Sequence, residues 1–235
     1  MEDAVTNYPL TVLIAGMGGQ GVVLAGDTLA EAALLAGLNV KKSEIHGLSR
    51  RFGSVSCQVR IGRDLYSPLR GHGGVSTILS FEGYEGLKHL PFLQTDGVAL
   101  MNRLWSKPGA LTPAEATAPS CVNDKRIEWF EGTVLTHQAE CPRSLNFFML
   151  GVLSARLSID AGAWHEALEN LLSKRSLDVN REMFSAGRRV AAAHIAAAAG
   201  RPAAPVAPPR LVPRPAHSKH RVVEQVVGTT ANGVG

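Results

Sequence analysis

The sequence predicts an α/β fold: a Rossmann-like, mostly parallel sheet with an added antiparallel hairpin and C-terminal helices. Three observations carry this expectation. The apolar run TVLIA at 11–15 meets the glycine-rich GMGGQG at 16–21, and helical periodicity follows at once. Two further apolar runs, VSTILSF at 75–81 and DGVALMN at 96–102, have the length and composition of buried strands. Beyond residue 143 the pattern turns helical in three successive segments.

Taken in order, 11–15 is the first strand and 16–21 a tight turn. In the helix that follows, Val22, Ala25, Leu29, Ala32, Ala33 and Ala36 fall on one face, and Gly37 is a stop signal. Leu38 to Val40 opens a second strand that runs toward Ser43 and Glu44, returning to the sheet as a parallel crossover would. EIHGLSRRFGS is polar and punctuated by glycine, which is loop chemistry. In SVSCQVRI at 54–61, Val55, Cys57, Val59 and Ile61 alternate onto one side. Gly62, Arg63 and Asp64 then form a turn, and Leu65, Tyr66 and Ser67 are expected to return as the second arm of the hairpin. Glu82 and Gly83 close the 75–81 strand, and YEGLKHL begins a short helix.

Between 103 and 143 the prolines at 108, 113, 119 and 142 interrupt the pattern, leaving RIEWF and GTVLT as short edge strands. Helices are expected over 144–157, 161–173 and about 176–199, with Gly200 and Pro202 as stops. They extend the α/β body, so residues 1–200 are read as one domain. Residues 201–235 hold six of the 13 prolines and no aromatic residue, the composition of a flexible basic tail.

Charge distribution excludes one function class. The formal net charge is +4, yet residues 1–200 carry nineteen basic and nineteen acidic side chains. The excess belongs to the tail, so the globular surface offers no basic platform for nucleic acid. No stretch approaches the roughly 18 consecutive apolar residues of a membrane span. Two acidic residues precede the first apolar run, where a secretory leader needs a basic region, and a cytoplasmic protein is expected. Cys57, Cys121 and Cys141 are too widely spaced for the grouped thiolates of a ferredoxin-type cluster or the short pair of a structural zinc site. Any metal centres used in electron transfer are expected on another polypeptide.

Gly16, Gly18 and Gly21 satisfy G-x-G-x-x-G, a pattern in which glycines let a ligand approach the backbone while helix-terminal N–H groups meet an anion. Simple strand–helix packing is the other reading of the same glycines. Glu44, 23 residues after Gly21, stands about where a dinucleotide fold places its ribose-binding acid, although Lys41 and Lys42 offer it a basic partner instead.

Further motifs occur in a fixed order: IAGMGGQGVVLAGDTLAEAA at 14–33, VKKSEIHGLS at 40–49, GSVSCQVRIGRDLYSPL at 53–69 and ILSFEGYEGLK at 78–88. Asn146, Leu150, Gly151, Trp164, Asn180, Phe184 and Gly187 follow. Together they resemble the gamma-type subunit or domain of the 2-oxoacid:ferredoxin oxidoreductases, over about residues 12–192. Within that family the match is closest to the beta subunit of the indolepyruvate branch. The resemblance implies CoA-dependent oxidative decarboxylation of an arylpyruvate, with electrons passing to ferredoxin through the complex. It also implies that thiamine diphosphate and [4Fe-4S] clusters reside in a large catalytic partner subunit, that this chain alone binds no cofactor, and that it is inactive by itself. The sequence departs from the family pattern at Arg50, where Gln is usual, and at Phe52, where Gly is usual. The segment LRGHGG after Pro68 also differs.

On this reading His46 is the candidate catalytic residue, suited to proton transfer or anion binding. Tying the loop to the glycine turn or to a partner is the alternative. Gln20, Glu44, Ser49, Arg50, Arg51, Phe52 and Glu82 are candidates for contact with substrate, coenzyme or partner. Gly16, Gly18, Gly19 and Gly21 form the glycine loop, and no metal ligands are expected. Two other functions stay open at this point: an independent NAD- or FAD-dependent oxidoreductase, and a non-catalytic assembly or scaffold subunit.

Overall fold

The computed structural model describes residues 9–46, 53–105 and 122–200. Its strands are β1 (Leu10–Met17), β2 (Asn39–His46), β3 (Ser54–Gly62), β4 (Val75–Ser80), β5 (Leu93–Asn102) and β6 (Ile127–Phe130). They form one sheet in the order β2-β3-β1-β4-β5-β6. The β1–β4, β4–β5 and β5–β6 pairs are parallel, whereas β3 runs antiparallel to both β1 and β2. The expected parallel body with an antiparallel hairpin is therefore present.

The hairpin differs in detail from the sequence reading. β2 points the same way as β1 but does not pair with it, because β3 fills the place between them. Leu65 to Ser67 forms no strand. Both edges of β3 are already occupied, and Pro68 follows immediately, so residues 63–74 instead make an irregular strap.

The described residues also form six α-helices: α1 (Val22–Leu35), α2 (Gly83–His89), α3 (Gly132–Gln138), α4 (Leu145–Ser154), α5 (Ala161–Leu171) and α6 (Lys174–Ala198). GTVLT was expected as an edge strand and is α3. Packing overrides its β-branched composition: Gly132 and Thr136 are buried toward α4, and the Thr136 hydroxyl donates to Gly132 O at 2.9 Å. Asn102 fixes the start of α3, accepting from Thr133 N–H at 3.1 Å and donating to Thr133 Oγ1 at 2.8 Å. The predicted apolar face of α1 is buried as far as Ala33, while Ala36 is its exposed C-cap.

One face of the sheet carries α1, α4, α5 and α6 over Val12, Ile14, Cys57, Val59, Ile61, Leu79 and Phe81. Every residue of α4 is buried, as an apolar-all-round helix must be. The other face is covered by α2 above Leu13, Ala15, Ile78 and Met101. Farther along that face the strap shields Gln58 and Arg60 of β3. Among the described residues no helix is long and apolar enough to cross a membrane.

Candidate functional site

The glycine loop is held from both sides. Gly18 N–H donates to Gly53 O at 2.8 Å, which ties the loop to the start of β3, and Gln20 N–H donates to Met17 O at 3.0 Å. The Gln20 side chain turns back, and its Oε1 accepts from Met17 N–H at 2.7 Å. A Cβ on Gly16 would stand 2.7 Å from that same oxygen, so glycine is what lets the Gln20 tie form.

Gly21 then enters α1 with φ +82°, in the left-handed region. No side chain among the described residues caps α1, and its first turn holds no acid. The first N–H groups of a 14-residue helix are therefore left without side-chain acceptors, at the positive end of its dipole. Behind Gly21, the Nδ2 of buried Asn146 would lie 2.5 Å from a Cβ at that position, and Asn146 Oδ1 has no hydrogen-bond partner.

In front of the loop is an open cleft of about 590 Å³, lined by Gly18, Gly19, Gly21, the first turn of α1, Asp27, His46 and Val55. The fold thus gathers three of the predicted glycines with His46, whose strand ends at the rim. Gly16 is buried beneath them, and Gln20 works from within the loop.

Glu44 shares the β2 face that points toward α1 but is held by Lys42, with Oε1 2.6 Å from Nζ. Lys42 Nζ also donates to Asp27. Burial works against the Lys42 charge, yet the hydrogen bonds to Asp27 and Glu44 outweigh it and raise the lysine pKa. Glu44 is thus paired with a base, and the insertion of β3 moves it one strand farther from β1 than a dinucleotide fold requires.

Glu82 is elsewhere: it is buried and caps α2, accepting from Glu85 N–H at 2.7 Å. Ser49, Arg50, Arg51 and Phe52 lie outside the described residues, as does the expected tail at 201–235. Among the described residues no group of three or more His, Cys, Asp or Glu side chains is placed to hold a metal ion.

Sequence reasoning missed Asp27 and offered Lys42 only as one of two basic partners for Glu44. Asp27 falls four residues after Val23 and three after Leu24, the helical spacing that puts it on the cleft side of α1. Lys42 alternates with Lys41 along β2, which turns it toward α1 while Lys41 faces away.

The sequence profile of the family described as "Pyruvate ferredoxin/flavodoxin oxidoreductase" matches residues 11–190. This chain belongs to that family. A protein of Pyrococcus horikoshii named indolepyruvate oxidoreductase subunit IorB is 34% identical over 191 residues, covering 77% of this chain and 95% of the relative. The protein of that name in Thermococcus kodakarensis is 32% identical over the same length and coverage. Among solved structures, the gamma subunit of a keto/oxoacid ferredoxin oxidoreductase from Geobacter sulfurreducens shares the fold with TM-score 0.58 at 20% identity, covering 77% of this chain and 98% of that one. A 2-oxoglutarate:ferredoxin oxidoreductase from Magnetococcus marinus superposes with TM-score 0.65 at 21% identity. The match covers 86% of this chain but only 33% of that polypeptide.

Proposed function

We propose that this chain is the small subunit of a cytoplasmic, ferredoxin-dependent 2-oxoacid oxidoreductase acting on an arylpyruvate such as indolepyruvate. The reaction converts the 2-oxoacid and coenzyme A to acyl-CoA and carbon dioxide, and two electrons pass to ferredoxin. The observation that carries the reading is an uncapped α1 N-terminus facing an open cleft rimmed by His46, in a member of this family. The names of the archaeal relatives support the aryl substrate. The Magnetococcus marinus structure, described with 2-oxoglutarate, coenzyme A and succinyl-CoA bound, supports the acyl-transfer chemistry.

The cleft suits an anionic group. A Cβ on Gly19 would meet nothing within 4 Å, so space is open above the loop, and the first turn of α1 lines it. In this reading they receive a phosphate of coenzyme A or the carboxylate of the oxoacid, and His46 hydrogen-bonds that anion or moves its proton. Ser49 and Arg51 add donors, Arg50 adds positive charge, and Phe52 packs on the aryl ring. Thiamine diphosphate and [4Fe-4S] clusters, held by the large partner, supply decarboxylation and electron transfer. This chain excludes water and positions the reactants. The test is arylpyruvate- and CoA-dependent dye reduction by the large subunit with and without this chain. A rate that needs both chains and favours indolepyruvate over pyruvate is expected. Full activity without this chain, or a preference for pyruvate, sinks the respective part of the proposal.

A further inference from the structure

On the sheet face away from α1, the 63–74 strap is pinned to β3 at two points. The Gln58 amide accepts from Arg70 N–H at 2.8 Å and donates to Arg70 O at 3.2 Å, and the Arg60 guanidinium donates to Ser67 O. These ties fix which side of the strap faces outward. That side presents Tyr66, 92% exposed, and Leu69, 43% exposed. Pairing register places Lys41 of β2 opposite Arg60, and Ile45, 55% exposed, opposite Ser56. Strap and edge strand therefore lie on the same sheet face, and Tyr66 is the most exposed large apolar side chain among the described residues. Among the described residues no strand neighbours the outer edge of β2.

The charges on this surface have one dominant sign. Among the described residues of the strap and the adjoining face of β2, exposed Lys41, Arg63 and Arg70 stand against Asp64 alone, with buried Arg60 beneath the strap. Arg60 is only 3% exposed, its Nε has no hydrogen-bond partner, and no carboxylate among the described residues pairs with it. Burial and the neighbouring charge of Arg70 both lower its pKa. A buried guanidinium left without a carboxylate is costly, and an acidic surface laid over the strap relieves that cost.

We propose that the strap and the adjoining face of β2 form a protein-docking surface whose occupant is an acidic face of the large partner subunit. Tyr66 is the anchor, seated in an apolar pocket, with Leu69 and Ile45 beside it. Lys41, Arg63 and Arg70 form a basic rim that steers and orients the partner. This surface lies across the sheet from the glycine cleft, so it is a contact separate from the one by which the cleft serves the partner's active centre. The inference rests on the subunit reading above, and the experiment separates the two.

Binding of the full chain to its cognate large subunit is measured at several salt concentrations, alongside thermal unfolding of the free chain. Wild type is expected to bind, more weakly as salt rises. Tyr66→Ala and Arg63→Glu should each weaken binding tenfold or more with unchanged unfolding temperature, since both side chains are exposed. Leu34→Ser, at the far end of α1, should bind as wild type. Wild-type affinity in both strap variants overturns the surface and leaves the subunit reading intact. Absence of binding by wild type overturns the subunit reading and the surface with it. A free chain that dimerises, and loses its dimer on Tyr66→Ala, overturns the occupant in favour of a second copy.

Discussion

Gly151 of α4 and Gly187 of α6 bring the two helix backbones into direct contact. A Cβ at 151 would lie 2.0 Å from Phe184 O, and one at 187 would lie 1.9 Å from Phe148 O. Glycine costs an isolated helix about 1 kcal/mol relative to alanine, so two glycines at one crossing reflect packing rather than propensity. The crossing also bears on the site. α4 carries Asn146 against Gly21, and α6 clamps α4 in place.

Gly151→Ala and Gly187→Ala are therefore each expected to destabilise the chain by about 3 kcal/mol or more, the upper end of overpacking, because the opposing atoms are backbone. Urea denaturation followed by circular dichroism measures this. A loss below about 1 kcal/mol for either variant contradicts the close crossing.

Cys57 supplies a pH prediction. Burial between β3 and α1 pushes its thiol up to about 12, from an ordinary value of 9.0. Below pH 9 both folded and unfolded chains hold the proton. Above it the unfolded chain releases the proton while the folded chain keeps it, so stability falls as pH rises from about 9 to 12. The slope from this thiol is about 1.4 kcal/mol per pH unit. Cys57→Ala should flatten the high-pH limb of the stability curve, and a limb of unchanged slope contradicts the shift. Native Cys57 should also resist iodoacetamide at pH 8 until the chain unfolds.

Local signals made much of this fold legible. The strand–glycine–helix unit at 10–35, the buried strands β4 and β5, and the three C-terminal helices each carry their own periodicity and stops. Failures came where the outcome depends on what lies alongside. Leu65 to Ser67 has strand composition but no free edge to join, and GTVLT has β-branched residues but buries Gly132 and Thr136 toward α4. At the site, the glycines were readable from spacing, and His46 was singled out through the family resemblance and its polar neighbours. The Lys42–Glu44 pair was one of two pairings the sequence offered, but the Asp27–Lys42 link was not legible, because it joins a helix to a strand through register that no local pattern encodes.

The glycine loop separates backbone strain from crowding. Gly19 has φ +99° with nothing near its would-be Cβ, whereas Gly21 has φ +82° with Asn146 Nδ2 at 2.5 Å. Gly19→Ala should cost about 1–2 kcal/mol from the left-handed conformation alone. Gly21→Ala should cost more, and adding Asn146→Ala should recover part of the difference. A double-mutant cycle should give a coupling of about 1 kcal/mol or more. Zero coupling means the two residues do not meet.

Arg51 is the sharpest test of the proposed recognition role. The described chain leaves β2 at His46 on the cleft rim and returns at Gly53, whose carbonyl holds Gly18. Both ends of the 47–52 segment are therefore fixed beside the glycine loop. The sequence of that segment includes Ser49, Arg50, Arg51 and Phe52, the residues to which the proposed function gives the recognition role. Arg51→Ala is expected to raise the Michaelis constant for the 2-oxoacid or for coenzyme A, with assembly intact. Loss of one well-placed charged hydrogen bond corresponds to about 1.5–3 kcal/mol, or roughly 10- to 150-fold. Steady-state kinetics paired with native mass spectrometry distinguishes the roles. Unchanged kinetics in a fully assembled variant rejects recognition by Arg51, and failure to assemble assigns the guanidinium to the subunit interface instead. A rise confined to coenzyme A places the coenzyme at this rim, whereas a rise confined to the oxoacid places the substrate carboxylate there.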